Sequence, residues 1–371
     1  MTRTLVIEAS GNLWGSERAL LDLLGAVPML EVAVCCPPQM PLNSELEKLH
    51  IRTLPYYVYG LHEKSKRHRL QAAAGVVRAC LEFRPDVIYL NQCGCYKVAL
   101  PAATLLGLPI VAHIRIFEDA AYLARQKPDP GRLRSIIAIS SAIQTEIRRF
   151  NELDSLELHQ IYDAYSCNPA VHASQNSPRQ ERMAYRVACV GRLSPVKGQD
   201  VLVGALCMLN DFEVGLECLF AGDGDLDFAQ SLRDTASRGN PVPPIRWLGF
   251  VSNVLSLLRT CSVLVCPSRR EPLGRVIFEG WESGALPIVF AGSGGAAEIV
   301  AAADGGVIYD EQTPQSLAMA LRRALELDGD RRNELVHNGR LWMSNNCNSE
   351  AYGETITTIL RNAASKSTLT V

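Results

Sequence analysis

The sequence carries almost no net charge. Its 37 lysines and arginines against 39 aspartates and glutamates leave −2 at pH 7. There is no bulk attraction to nucleic acid or to an anionic membrane, so any such contact has to be local. An uninterrupted apolar run of membrane-spanning length is also missing. The longest, Val98 to Ala112, is broken by Pro101, Gly107 and Pro109, whereas a span needs roughly 20 apolar residues. It is expected to form a helix, a turn and a buried strand. No secretory leader is expected, because Met1-Thr2-Arg3 leads straight into a strand that already carries Glu8. Zinc-site spacing is lacking too. Cys93-x-Cys95 and Cys261…Cys266 have no second pair or HxxxH to complete them, so no metal site is expected. No repeat of solenoid period is visible.

What is present fits a soluble α/β protein. A chain of 371 residues suits two domains of similar size, and 47% hydrophobic residues exclude a disordered chain. Many of the twelve cysteines sit inside apolar strand-like runs, among them Cys35, Cys36, Cys189, Cys218, Cys261 and Cys266. They are expected to be buried reduced thiols in a cytosolic protein. Short β-branched runs alternate with amphipathic stretches: TLVIEAS, EVAVCCP, DVIYLNQ, PIVAHIRI, SIIAIS and LHQIYDA, then YRVACVGRL, GLECLFAGDG, IRWLGF, SVLVCPS, LPIVFAG and GGVIYD. Continuous apolar strands joined by helices predict parallel sheets covered on both faces. Between the two sets, residues 166 to 183 lose periodicity and predict a linker. The expected architecture is two facing doubly wound (Rossmann-like) domains with a cleft between them. They cover residues 1–170 and 180–349, with a terminal helix over 350–368 packing back on the first.

In open parallel sheets ligands bind beyond the carboxyl ends of the strands, so chemistry is sought in the loops there. GRLSPVKGQD, residues 191–200, places Arg192 and Lys197 beside a helix start. Two cations at a helix N-terminus form an anion site; the plain alternative is a solvated turn. RREPLGRVIFEGWESG then sets Glu271 in a loop and Glu279 over one turn into a helix from about Gly274 to Ser283. At helical pitch they lie about 10–12 Å apart. That span suits a nucleoside-diphosphate sugar, with sugar hydroxyls at Glu271, phosphate at the amides near Leu273, Gly274 and Arg275, and ribose at Glu279. The plain alternative is a capping acid and a helix-face charge. AGSGGAAEIV, which also holds Gly295, mimics a dinucleotide fingerprint through Gly292-x-Gly294-x-x-Ala297. Too few strands follow it for a dinucleotide fold, and the glycines are read as bare backbone approaching a ligand. In the first half, ASGNLWGSERALLDLL opens a Gly11…Gly15 loop into a helix, and His113 lies near a strand end.

Together, GRLSPVKG, EPLGRVIFEGWESGALPIVFAGSGGAAEIV and PDVIYLN resemble the retaining glycosyltransferases of the GT-B fold, group 1 (family four), over nearly the whole chain. The resemblance implies transfer of a hexose-type sugar from a UDP- or GDP-sugar to a glycan or lipid-linked acceptor, with retention of configuration. It implies no metal and no cofactor other than the donor, and a place in cell-surface polysaccharide, lipopolysaccharide or glycolipid synthesis. By position, Arg192 and Lys197 would neutralise the departing diphosphate and Glu271 would hold sugar hydroxyls. Backbone at Leu273, Gly274 and Arg275 would meet phosphate, with Arg275 adding a contact where leucine is frequent. Glu279 would bind ribose, Gly294 and Gly295 would line the ligand, and Gly15 would approach the diphosphate or acceptor. His113 matches the family's first-domain histidine near the reacting sugar.

Three stretches depart from the family pattern. Gly15-Ser16 replaces a double glycine, His113 is followed by Ile114-Arg115, and IYDAYS (161–166) stands where many members show P-N-G-hydrophobic-D. A basic stretch, HEKSKRHRL at 62–70, brings Lys64, Lys66, Arg67 and Arg69 together and is read as a contact for an anionic membrane; the plain alternative is a solvated helix start. The expected location is therefore cytoplasmic, peripheral at the inner face of the plasma membrane. No nucleic-acid partner is expected. The rival readings are an NAD-dependent sugar-nucleotide oxidoreductase or epimerase, a catalytically silent sugar-nucleotide binder, and a two-domain solute-binding protein.

Overall fold

Strands form where apolar and β-branched runs meet turn residues, and among the described residues every strand pairing is parallel. The computed structural model describes residues 1–27, 30–57, 66–166, 185–209, 215–239 and 244–365. In chain order the first half gives β1 (Arg3–Ile7), α1 (Gly15–Ala26), β2 (Glu31–Cys36), α2 (Pro41–Lys48), β3 (Arg52–Pro55), α3 (Lys66–Phe83) and β4 (Val87–Leu90). It continues with α4 (Tyr96–Leu106), β5 (Ile110–Ile114), α5 (Phe117–Arg125), β6 (Leu133–Ala138), α6 (Ser141–Ile147) and β7 (Glu157–Gln160). The sheet order is β3-β2-β1-β4-β5-β6-β7. Strand order reverses at β1/β4, and the crevice beyond that switch point is where an open sheet takes its ligand.

The second half repeats the plan. It runs β8 (Tyr185–Val190), α7 (Gln199–Leu206), β9 (Leu216–Ala221), α8 (Leu226–Arg238), β10 (Ile245–Gly249), α9 (Val254–Leu258) and β11 (Val263–Cys266). Then come α10 (Arg275–Ser283), β12 (Leu286–Phe290), α11 (Gly295–Ala303), β13 (Val307–Tyr309), α12 (Pro314–Glu326) and α13 (Gly329–Asn346), before the final α14 (Ser349–Ser365). The sheet order is β10-β9-β8-β11-β12-β13, with its switch point at β8/β11.

By contacts the chain divides into Met1–Ser166 with Cys347–Val371, and Cys167–Asn346. α14 therefore belongs to the first unit. Tyr352, Ile356, Ile359, Leu360 and Ala363 bury against Leu20, Leu23 and Leu24 of α1. Residues 167–184, most of the expected linker, lie outside the described residues.

The Val98 to Ala112 run folds as read. α4 carries Pro101 inside it, stops at the left-handed Gly107, and the chain enters the buried β5. Among the described residues no helix is long and apolar enough to cross a membrane, and no group of His, Cys, Asp and Glu could hold a metal ion. The described cysteines are free thiols, all buried except Cys207.

In the second unit the packing that supports the later site centres on Trp281. α10 buries Ile277, Phe278 and Trp281 along one face, the spacing of a core-facing helical stripe. Trp281 is fully enclosed and its Nε1–H donates to the Gly305 carbonyl at 2.7 Å. Trp342 of α13 stands 6.2 Å away, ring to ring, and Arg340 donates to the Trp281 carbonyl at 2.6 Å.

Candidate functional site

The carboxyl end of the second sheet gathers three loops, after β8, β11 and β12. The first and second are sewn together by Arg269. Its backbone N–H donates to the Val196 carbonyl at 2.8 Å, and its guanidinium makes a two-pronged pair with Asp200 at 2.8 and 2.7 Å. Burial opposes the Asp200 charge, but the Arg269 hydrogen bonds outweigh it and hold the carboxyl below its usual range. Gly198 lets the loops touch. It sits at φ 68, and a Cβ there would fall 2.0 Å from the Pro267 carbonyl oxygen.

This seam brings Lys197 to Glu271. The Lys197 Nζ lies 2.7 Å from Glu271 Oε2, and the same oxygen accepts from the Ser268 hydroxyl at 2.9 Å. The Cys266 thiol stands 3.9 Å away. Burial, and then the Glu271 charge, push that thiol up to about 11, so it remains protonated rather than becoming a reactive thiolate. Burial works against the Lys197 ammonium, yet Glu271 more than offsets this and holds it above its ordinary value. Glu271 itself is buried. Its Oε2 is anchored, while no hydrogen bond reaches Oε1 among the described residues. Arg192, in the same loop as Lys197, is exposed, and among the described residues its side chain has no ion pair. Its carbonyl accepts from Gln199 at 3.0 Å.

The second and third loops are joined through backbone. Glu271 N–H donates to Ser293 O at 2.6 Å and Gly295 N–H donates to Glu271 O at 2.8 Å. These bonds bring the starts of α10 and α11 together. Contact is so close that a Cβ on Gly295 would lie 2.0 Å from the Pro272 carbonyl oxygen. Gly274 caps α10 in a left-handed conformation, and no side chain caps that end. A helix start without a side-chain cap offers N–H groups and partial positive charge to an anion. At α11, Gly294 holds the N-cap and the Ser293 hydroxyl accepts from Ala297 N–H at 3.2 Å. Leu273 is buried, while Arg275 and Glu279 are half-buried on α10.

The second unit thus holds Arg192, Lys197, Glu271, Leu273, Gly274, Arg275, Glu279, Gly294 and Gly295 on loops and helix starts at one end of one sheet. The direct Lys197–Glu271 contact was not foreseen, since the sequence reading gave the two side chains separate ligands. Ser268 and the Asp200–Arg269 pair were also missed. Ser268 had a usable signal, because it follows a buried strand directly at the carboxyl end.

Gly15 and His113 belong to the first unit. Gly15 begins α1 and is exposed, and the preceding Trp14 N–H donates to Glu17 Oε2 at 3.0 Å. His113 is fully enclosed, with Nδ1 2.7 Å from the Tyr89 hydroxyl. The apolar residues on either side, IVAHI, were the signal for that burial.

Beside these lies Glu8, directly after β1 and also fully buried. It accepts from Ser10 N–H at 2.9 Å, Gln92 at 2.9 Å and Asn91 at 2.5 Å. Burial, and next the nearby Glu17 carboxylate, raise its carboxyl from 4.5 to about 7. The folded chain then keeps a proton that the unfolded chain has released. Its stabilising contribution is full below 4.5 and is lost as pH rises to about 7. Glu8→Gln is expected to gain stability over wild type progressively from pH 5 to pH 8 in thermal melts. A pH-independent difference would contradict this.

Residues 173–342 match the family model of glycosyl transferases group 1. A glycogen synthase of Anaeromyxobacter sp. is 30% identical over 173 residues, 45% of this chain and 35% of that protein. A D-inositol 3-phosphate glycosyltransferase of Acidothermus cellulolyticus is 26% identical over 303 residues, 70% of this chain and 64% of that protein. The chain therefore spans about a third of the first relative's length and just under two thirds of the second's. Among solved structures, Anabaena HepE in complex with UDP and glucose matches with a TM-score of 0.81 at 22% identity, over 98% of this chain and 100% of that one. The chain has the GT-B fold, two parallel-sheet Rossmann-like domains, and its second domain matches the glycosyl transferases group 1 model.

Proposed function

We propose that the protein transfers a hexose-type sugar from a nucleoside-diphosphate donor, a UDP- or GDP-sugar, to a glycan or lipid-linked acceptor with retention of configuration. The observation that carries this reading is Glu271, anchored through Oε2 by Lys197 and Ser268 beside the uncapped start of α10. The anchored carboxylate is assigned to sugar hydroxyls through Oε1, and the α10 amides near Leu273, Gly274 and Arg275 to phosphate. Glu279 is assigned to ribose, with the Gly294–Gly295 backbone along the ligand. The solved HepE complex with UDP and glucose supports a donor of this class.

In this reading the bond from the anomeric carbon to the phosphate oxygen breaks, and negative charge grows on the departing diphosphate. Arg192 and Lys197 stabilise it. The acceptor hydroxyl attacks from the leaving-group face and its proton passes to a phosphate oxygen, which gives retention without a protein nucleophile. No metal and no further cofactor is called upon. The first domain is assigned the acceptor, with Gly15 at the loop and His113 on the sugar side. We assign the product to cell-surface polysaccharide, lipopolysaccharide or glycolipid.

A panel of UDP- and GDP-sugars in thermal-shift measurements tests the reading. One of them is expected to raise the melting temperature of wild type and to do so far less in Lys197→Ala. Nicotinamide-dependent turnover, or no shift with any nucleotide sugar, would overturn it.

Membrane contact is part of the same proposal. Lys66, Arg67 and Arg69 are exposed on the first turn of α3, where cations oppose the helix dipole. Lys64 lies outside the described residues. Near an anionic surface each basic residue contributes about 1 kcal/mol. The protein is expected to co-sediment weakly with phosphatidylserine-containing vesicles at low salt and to be released at high salt. Absence from the pellet at low salt would remove the membrane from the proposal.

A further inference from the structure

Two of the departures from the family pattern meet in the structure. Arg115 follows β5, Asp163 lies in the IYDAYS stretch, and both are buried. Arg115 Nη1 lies 2.6 Å from each carboxylate oxygen of Asp163. Its Nε donates to the Asn91 carbonyl at 3.0 Å, and Nη2 lies 3.1 Å from Asn91 Oδ1 and 3.3 Å from His113 Nδ1. A guanidinium has N–H donors and no acceptor, so every one of these contacts is a donation from Arg115. The one that reaches Nδ1 needs a lone pair there.

The opposite ring nitrogen supports the same assignment. His113 Nε2 stands 4.0 Å from Asp163 Oδ1, too far for a hydrogen bond. A proton on Nε2 would face the carboxylate favourably, whereas a lone pair would be repelled. Nε2 is buried without a hydrogen-bond partner among the described residues. The groups facing the ring are Tyr89 from β4, Arg115 beyond β5, Asp163 beyond β7 and, through Asp163, Tyr352 of α14, whose hydroxyl lies 3.4 Å from Oδ1.

The geometry points to Arg115 and Asp163 as positioning residues that hold His113 as a neutral ring with its single proton on Nε2. Burial first, and then the Arg115 charge, keep the ring well below the usual histidine range despite Asp163. His113 is then a hydrogen-bond donor of fixed polarity that does not titrate between pH 5 and pH 8. The consequence for sugar transfer rests on the function proposed above; the ring state does not.

Long-range proton–nitrogen spectra of protein labelled with ¹⁵N-histidine test it, with His113→Asn identifying the signal. In wild type Nδ1 is expected to be unprotonated and Nε2 protonated, unchanged from pH 5 to pH 8. The double variant Arg115→Met/Asp163→Leu removes both charges together, which spares the core an unpaired ion. Tyr89 can then serve either tautomer, so an Nδ1–H population or titration within that range is expected. A wild-type ring protonated on Nδ1, or on both nitrogens at pH 6, would overturn the proposal, as would a double variant with the wild-type spectrum. If the double variant fails to fold, the wild-type spectrum alone decides. The spectra need no substrate, so failed sugar transfer would sink the proposed function and leave this result standing.

Discussion

Replacing Lys197 by alanine is expected to cut sugar transfer by about 10²–10³-fold, the scale on which one preorganised charge-stabilising donor acts, roughly 3–4 kcal/mol. The charge is lost where the diphosphate would depart. Glu271, which is buried, also loses the ammonium 2.7 Å from its Oε2 and keeps only the hydrogen bond from Ser268 and the weak thiol contact. Glu271→Ala is expected to abolish transfer too, by removing the acceptor for the sugar hydroxyls. Both changes lie at a loop edge, so far-ultraviolet dichroism should match wild type. Wild-type-like turnover in either variant would contradict the roles assigned to the pair. Loss of the dichroism signal would require the gentler Lys197→Met and Glu271→Gln, for which the same large loss of turnover is expected.

Trp281→Ala is expected to destabilise the second domain by about 3–5 kcal/mol, the range for deleting a large buried aromatic side chain. The indole is fully enclosed, hydrogen-bonded to Gly305 and set against Phe278 and Trp342. Gly339 lies so close that a Cβ there would meet the ring at 2.3 Å, and the void would open between α10 and α13. Urea unfolding followed by the remaining tryptophans, of which Trp247 and Trp342 lie in the second domain, reads the shift. A loss below about 1 kcal/mol, the size of an ordinary single substitution, would show that the cavity collapses. Because α10 carries Glu279 and its start borders Glu271, the same variant is expected to bind donor more weakly.

The sheets were legible because their strands are continuous apolar runs. β4, β5 and β11 are buried at every position, as strands covered on both faces must be. β3 escaped notice. It is a four-residue edge strand, RTLP, with only Leu54 buried, and its proline suits an edge. The charged loop after β8 and the glutamate after β11 could each be placed at a strand end from sequence. Their contact could not, because Lys197 and Glu271 are 74 residues apart and meet only because β8 and β11 are neighbours. Strand order is a property of the crossovers, and no local pattern carries it. The same holds for Arg115 and Asp163, 48 residues apart. Each could be noticed as unusual, but their partnership needed β5, β6 and β7 side by side.

α14 rejoins the first unit at a tight seam, where Tyr165 N–H donates to the Cys347 carbonyl at 3.0 Å and Ser166 and Ser349 touch through their hydroxyls. Gly353 then runs so close to α1 that a Cβ would lie 2.1 Å from the Ala26 carbonyl oxygen. A chimera meant to exchange donor preference between relatives therefore needs two splice points, near 166/167 and 346/347. A single crossover would leave the recipient's amino-terminal half wearing a foreign carboxyl-terminal helix. Likewise, a clone shortened after residue 346 would strip the covering from Leu20, Leu23 and Leu24 and should precipitate, although every strand of both sheets would still be encoded.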